Sequence, residues 1–140
     1  MSISPAIRAK RILLRMTNFK DLLENALPDY TGQVTLSAGE KVIGVYENFV
    51  DTRTEAVLVT DLRLIVERHG EWEPVAYREI VCVGIPEPAK VDADNTVLTM
   101  RLLNGNTFMV PIRGMHGRFY DLYEFCRFVQ RVRDDAESNR

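Results

Sequence analysis

A chain of 140 residues has the length of one domain and enough mass to bury a core of its own. With 46% hydrophobic and 27% charged residues it has the balance of a folded globule, which excludes a disordered or fibrous chain. The formal net charge of −2 removes the electrostatic motive for nucleic acid as a partner, and none is expected.

In chain order, residues 4–27 read as helical, with Pro5 in the tolerated first turn. At 100° per residue Ile12, Met16, Phe19, Leu23 and Leu27 form one stripe, with Arg8, Arg11 and Arg15 beside it. A break falls near Thr17-Asn18, where Asn18 and Asp21 resemble an N-cap and an acidic first turn, so one bent helix or two short ones fit. Pro28-Asp29 ends the segment, and residues 31–39 form a connection with a short extended piece at 33–36.

Residues 40–46 read as the first strand, and 47–53 as a polar loop. Strands at 56–60 and 62–67 meet across Asp61 as a hairpin. In the second of these Leu62, Leu64 and Val66 alternate with Arg63, Ile65 and Glu67, the period of a strand with one wet face. His69-Gly70 reverses the chain into 72–77, and 80–85 follows until Pro86-Glu87-Pro88 stops it. After the charged loop 89–95, residues 96–103 and a strand carrying Phe108, Val110 and Ile112 flank Asn104-Gly105, a type I′ turn signal. The period then changes to 3.6. Phe119, Leu122, Cys126, Val129 and Val132 make a helical stripe, and residues 133–140 are expected to fray.

The run Val59-Thr60-Asp61-Leu62-Arg63-Leu64-Ile65-Val66, then a Gly turn, then Val75-Ala76-Tyr77-Arg78-Glu79-Ile80-Val81-Cys82-Val83, resembles bacterial pleckstrin-homology-like (PH-like) and GRAM-like domains. The resemblance implies a mainly β fold with helices. Seven antiparallel strands would form a roughly orthogonal β-sandwich or partly open barrel, capped by the carboxy-terminal α-helix and joined by an added amino-terminal helical segment. The expected division is a helical extension over 1–30 packed on the domain, a PH-like domain over 36–133 and a charged tail over 134–140. Lipid-binding members grip phosphate with several cations on their first two strands, whereas here Glu40 and Glu47 offset Lys41 and Arg53, so specific phosphoinositide binding is not expected.

Candidate sites follow from the remaining residues. Arg113, His116 and Arg118, around Gly114 and Gly117 before a helix, are an anion or partner contact, weighed against a plain loop. Arg8, Lys10, Arg11 and Arg15 are a membrane-facing basic cluster, weighed against a solvated helix flank. The last helix is apolar over more than half its circumference, so Tyr123, Phe125 and Phe128, with Ile7, Leu14 and Leu22, are interface candidates for a partner or for a second copy in a homodimer. Helix packing on its own domain is the favoured arrangement, because residues 28–39 are long enough to let it fold back.

Cys82 and Cys126 read as buried free thiols in preference to a lone disulfide, and neither they nor His69 and His116 have metal-site spacing, so no metal or cofactor is expected. No nucleophile stands beside a base, and Gly114-x-x-Gly117 lacks the context of a nucleotide loop. No signal-peptide run or membrane span is read, since Arg8, Lys10, Arg11 and Arg15 interrupt the first apolar residues; the expected compartment is the cytoplasm. The functional expectation is therefore a non-catalytic module binding a protein or peptide. A peripheral module on anionic lipid is the alternative, with an enzyme of unrecognised type more distant.

Overall fold

The computed structural model describes residues 4–22, 34–85, 96–114 and 120–138. Two antiparallel sheets carry the fold. Helix α1 (Pro5–Ile12) and a 3-10 turn (Leu13–Arg15) lead into β1 (Phe19–Asp21). Strands β2 (Val42–Tyr46), β3 (Val57–Thr60), β4 (Arg63–Arg68) and β5 (Glu71–Ala76) complete a five-stranded sheet in the order β1-β2-β3-β4-β5. Strands β6 (Ile80–Gly84), β7 (Val97–Leu102) and β8 (Thr107–Pro111) form the second sheet in that order, and α2 (Tyr120–Ser138) follows.

The helical reading of residues 4–27 is corrected here. Helix α1 stops at Ile12, and Phe19–Asp21 is a strand whose Phe19, Lys20 and Asp21 pair with Tyr46, Val45 and Gly44. Asn18 caps no helix; it is buried, and its carbonyl accepts from the Glu47 amide at 2.9 Å. The spacing of Ile12, Met16 and Phe19 does mark buried positions, but a helix, a 3-10 turn and an edge strand reach them in succession. The expectations at Leu23, Leu27, Pro28-Asp29, His116, Gly117, Arg118 and Phe119, and for the loop after Ile85, lie outside the described residues.

Turn chemistry places the type I′ geometry elsewhere than expected. His69 (φ 53°) and Gly70 (φ 86°) both take positive φ between the paired Arg68 and Glu71, as a two-residue I′ turn requires. At the other hairpin only Gly105 does so (φ 88°), while the Asn104 side chain accepts from the Asn106 amide at 2.9 Å. That bond engages Asn104 in a local side-chain turn, and the loop becomes one residue longer. Between β3 and β4, Thr60 rather than Asp61 holds the turn, its Oγ accepting from the amides of Leu62 and Arg63, each at 3.0 Å.

The main core lies between the sheets and α2. Leu122, Phe125, Phe128, Val129 and Val132 of α2 meet Tyr46, Val59, Leu64, Leu98, Met100 and Ile112. Edge-to-face rings run through it, with Tyr46 and Phe125 at 5.8 Å, Phe125 and Phe128 at 5.9 Å and Phe128 and Tyr77 at 6.3 Å between centroids. Phe125 and Phe128 are thus withdrawn from the interface candidates, because the chain's own core consumes them. Helix α1 joins the same core through Ala9 and Ile12, followed by Leu13. Arg8 and Asp135 bind it to α2 by two bonds of 3.0 and 3.2 Å.

A second, smaller cluster of Val45, Ala56, Leu58 and Ile65, flanked by Leu22, Val34, Leu36, Val42 and Trp72, covers the other face of the five-stranded sheet. The wet face expected on residues 62–67 is therefore dry at Ile65, while Leu62 is exposed in the turn. Fraying from residue 133 is likewise corrected. Helix α2 runs on to Ser138, where Arg133 pairs with Glu137 one turn on, at 3.1 Å.

Candidate functional site

Two sheets have four outer strands, and three are defended. An open strand edge is a row of unpaired N–H and C=O groups that recruits other chains, so natural edges are kept short, charged, interrupted by proline or covered. Strand β1 has three residues, two of them charged, and its Lys20 is held by Glu47 at 2.7 Å and Asp51 at 2.8 Å. Strand β5 carries Glu71, Glu73 and Pro74. Strand β8 ends in Pro111, and the Met109 carbonyl accepts from the Arg68 guanidinium, which also lies over the Phe108 ring.

Strand β6 is guarded at its first residues, where its register shifts between Ile80 and Cys82 and Arg133 covers the Ile80 carbonyl, and by no charge or proline of its own. Its sequence Ile80-Val81-Cys82-Val83-Gly84 contains no charge and no proline, and among the described residues it pairs with β7 on one side only. On its free side the Ile80 carbonyl accepts from Arg133 Nε at 3.3 Å. Beyond that point the edge opens into a groove of about 490 Å³ between β6 and α2. Val81, Cys82 and Val83 form one wall, and Arg127, Gln130, Arg131, Arg133 and Asp134 the other. Arg133 and Glu137 line a neighbouring hollow with Tyr77, Ile80 and Val81, whereas Arg127, Gln130 and Arg131 share the groove with Val81, Cys82 and Val83, so α2 passes β6 in the opposite sense.

The cations of the helix wall differ in freedom. Arg133 is held by Asp134 at 2.9 Å and Glu137 at 3.1 Å as well as by Ile80. Among the described residues Arg127 pairs only with Glu124, at 2.8 Å, on a half-exposed surface where such a pair is worth about 0–1 kcal/mol. Arg131 is exposed, and no ion pair among the described residues engages it. Tyr120 and Tyr123 continue the exposed stripe toward the helix start. Cys82, expected buried, is exposed in the groove wall opposite Arg101 of β7; Cys126 is buried, and burial raises its thiol pKa.

The other sequence candidates are dispersed. Arg113 is a structural cation rather than a waiting anion contact, bonding Glu55 at 2.6 and 3.0 Å and lying over the Phe49 ring at 5.3 Å. Buried Asn48 fixes the same loop, donating to the carbonyls of Glu55 (2.6 Å) and Pro111 (2.8 Å) and accepting from the Arg113 amide (2.7 Å). Arg8 leaves the basic cluster because Asp135 holds it, while Lys10, Arg11 and Arg15 remain exposed. Ile7 and Leu14 are exposed at the rim of a separate apolar hollow of about 160 Å³ over Phe19 and Ile43, and Leu22 is half-buried in the outer cluster. Tyr123 alone of the interface candidates lies on the outer stripe of α2.

Sequence reasoning passed over Arg127 and Arg131. The available signal was negative: of the described strand segments that become sheet edges, only 80–84 lacks a charged residue or proline of its own. Among the described residues no three His, Cys, Asp or Glu side chains converge as a metal site requires, and no helix is long and apolar enough to cross a membrane. Compared with family models, curated proteins and solved structures, the chain matches none.

Proposed function

We propose that this chain is a PH-like, non-catalytic interaction module of a bacterial cytoplasm, and that it binds a protein or peptide partner along β6 and α2. The β6 edge, open beyond Ile80 among the described residues, carries the reading. A strand with free main-chain groups beside a groove is the geometry for adding an extended segment, whose backbone supplies affinity while its side chains meet the helix wall. The order of seven strands and a closing helix supports the PH-like scaffold, with β1 and α1 as additions.

The test is selection of displayed random peptides on the full chain, followed by titration against Cys82→Lys. Position 82 is exposed, so the lysine keeps its charge in water and its place opposite Arg101 should cost at most about 1 kcal/mol of stability, read by melting, while it supplies a guard to β6. Selected peptides should compete with one another and lose at least about tenfold in affinity, or ~1.4 kcal/mol. Equal binding to C82K would refute the site. Salt-sensitive sedimentation with anionic vesicles in place of peptide binding would favour a lipid surface.

A further inference from the structure

We infer that the segment accepted between β6 and α2 is acidic, carrying carboxylates two residues apart that meet Arg127 and Arg131. The inference rests on the partner groove proposed above and names the chemistry of its occupant.

Spacing is the first argument. A strand laid beside β6 turns alternate side chains to the same face, so its positions i and i+2 stand about 6.6 Å apart. Arg127 and Arg131 are four residues apart on a helix, about 6 Å along its axis. Helix α2 passes β6 in the opposite sense, with Arg133 at Ile80 and with Arg127, Gln130 and Arg131 in the groove beside Val81, Cys82 and Val83. Two carboxylates on one face of an added strand therefore meet two guanidiniums in step.

Charge is the second. The lining has three arginines and one aspartate, in a chain whose formal net charge is −2. Arg133 and Asp134 neutralise each other at the Ile80 end, and Arg133 already caps the edge there. Among the described residues, the positive charge that remains lies on Arg131, which no ion pair engages, and on Arg127, which only an exposed pair holds. A carboxylate placed beside Asp134 would be repelled, which fixes the register. Glu124 is the only acid paired with Arg127 among the described residues, in an exposed contact that a ligand carboxylate replaces at little cost. A basic or neutral segment would leave Arg131 unmatched and Arg127 with Glu124 alone among the described residues.

The test uses the intact chain and four probes: a ten-residue peptide alternating Glu with Thr, the same peptide with Gln or with Lys for Glu, and vesicles containing phosphatidylserine. The Glu peptide should bind, weaken as salt rises, and shift the amide resonances of residues 81–84 and 127–134. Arg127→Glu with Arg131→Glu should weaken it at least tenfold, while Arg127→Lys with Arg131→Lys retains part of the affinity and confirms that the fold is intact. Equal binding of the Gln peptide in the same groove would overturn the acidic preference and leave the groove standing. Failure of all three peptides to shift these residues, with display-selected peptides binding at another surface, would overturn the groove itself. Vesicle binding that depends on Arg127 and Arg131 without peptide binding would assign the cations to a membrane and overturn the inference.

Discussion

Gly44 illustrates how one absent atom sets an edge strand. A Cβ at this position would lie 2.6 Å from the Lys20 carbonyl oxygen and closer still to the Phe19 ring, so only glycine lets β1 lie against β2. Gly44→Ala should cost about 1–3 kcal/mol, as overpacking does, read by chemical denaturation. Gly84→Ala, with nothing within 4 Å of the added atom, is the control and should cost far less. Glu40 is a different kind of decisive residue. Its side chain is 0% exposed and accepts from Arg63 Nε at 2.9 Å and Thr60 Oγ at 2.6 Å. Burial alone would raise its pKa, but the bonds from Arg63, Thr60 and the Ser37 amide, with the charge of Arg63, hold it below the ordinary value of 4.5. Arg113 likewise lowers Glu55, by its hydrogen bonds first. Since both folded-state values lie below the unfolded one, their stabilisation is complete above about pH 4.5 and is lost as pH falls through the folded-state values. Glu40→Gln should flatten the acid limb of stability against pH. It should also cost several kcal/mol, toward the low end of the ~3–5 expected for breaking a buried pair, because Arg63 keeps some contact with water.

At the level of elements, α1 is held by apolar burial with one ion pair for orientation. Ile12→Ala should cost about 2–5 kcal/mol by emptying a core position. The Arg8 and Asp135 side chains are 19% and 18% exposed, and their pair is worth less. Arg8→Glu should lower the melting temperature, and adding Asp135→Arg should restore most of the loss. If the double variant recovers nothing, the pair does not orient the helix. The strands from residue 40 onward and the final helix were legible because their periods, 2 and then 3.6, were set by burial on a sheet face or a helix stripe. Residues 19–21 were not, because three residues hold no period and Phe19 continues the helical spacing of Ile12 and Met16. What makes them a strand is Gly44, twenty-five positions from Phe19 in sequence, and pairing of that range is invisible to local pattern. The wide apolar girth of α2 was legible as a demand for cover. Its origin in Tyr46, Tyr77 and α1 needed the tertiary structure.

For the whole molecule the distribution of sheet edges matters more than net charge. Three outer strands are shortened, charged, interrupted or covered, and among the described residues β6 is open beyond Ile80, beside a helix bearing two loosely held arginines. The seven core strands, the closing helix and the start of the amino-terminal helix could be read from the sequence, but not where that helix ends. The groove could not, since it depends on which strands become outer ones and on α2 running antiparallel to β6. Amide hydrogen exchange of the intact chain, alone and bound to a display-selected peptide, tests the role of that edge most directly. Main-chain pairing on β6 predicts that the outward-facing amides within Val81–Gly84 slow at least about tenfold on binding, while those on the outer edge of Glu71–Ala76 do not change. A bound peptide that leaves exchange in β6 unaltered would contradict it.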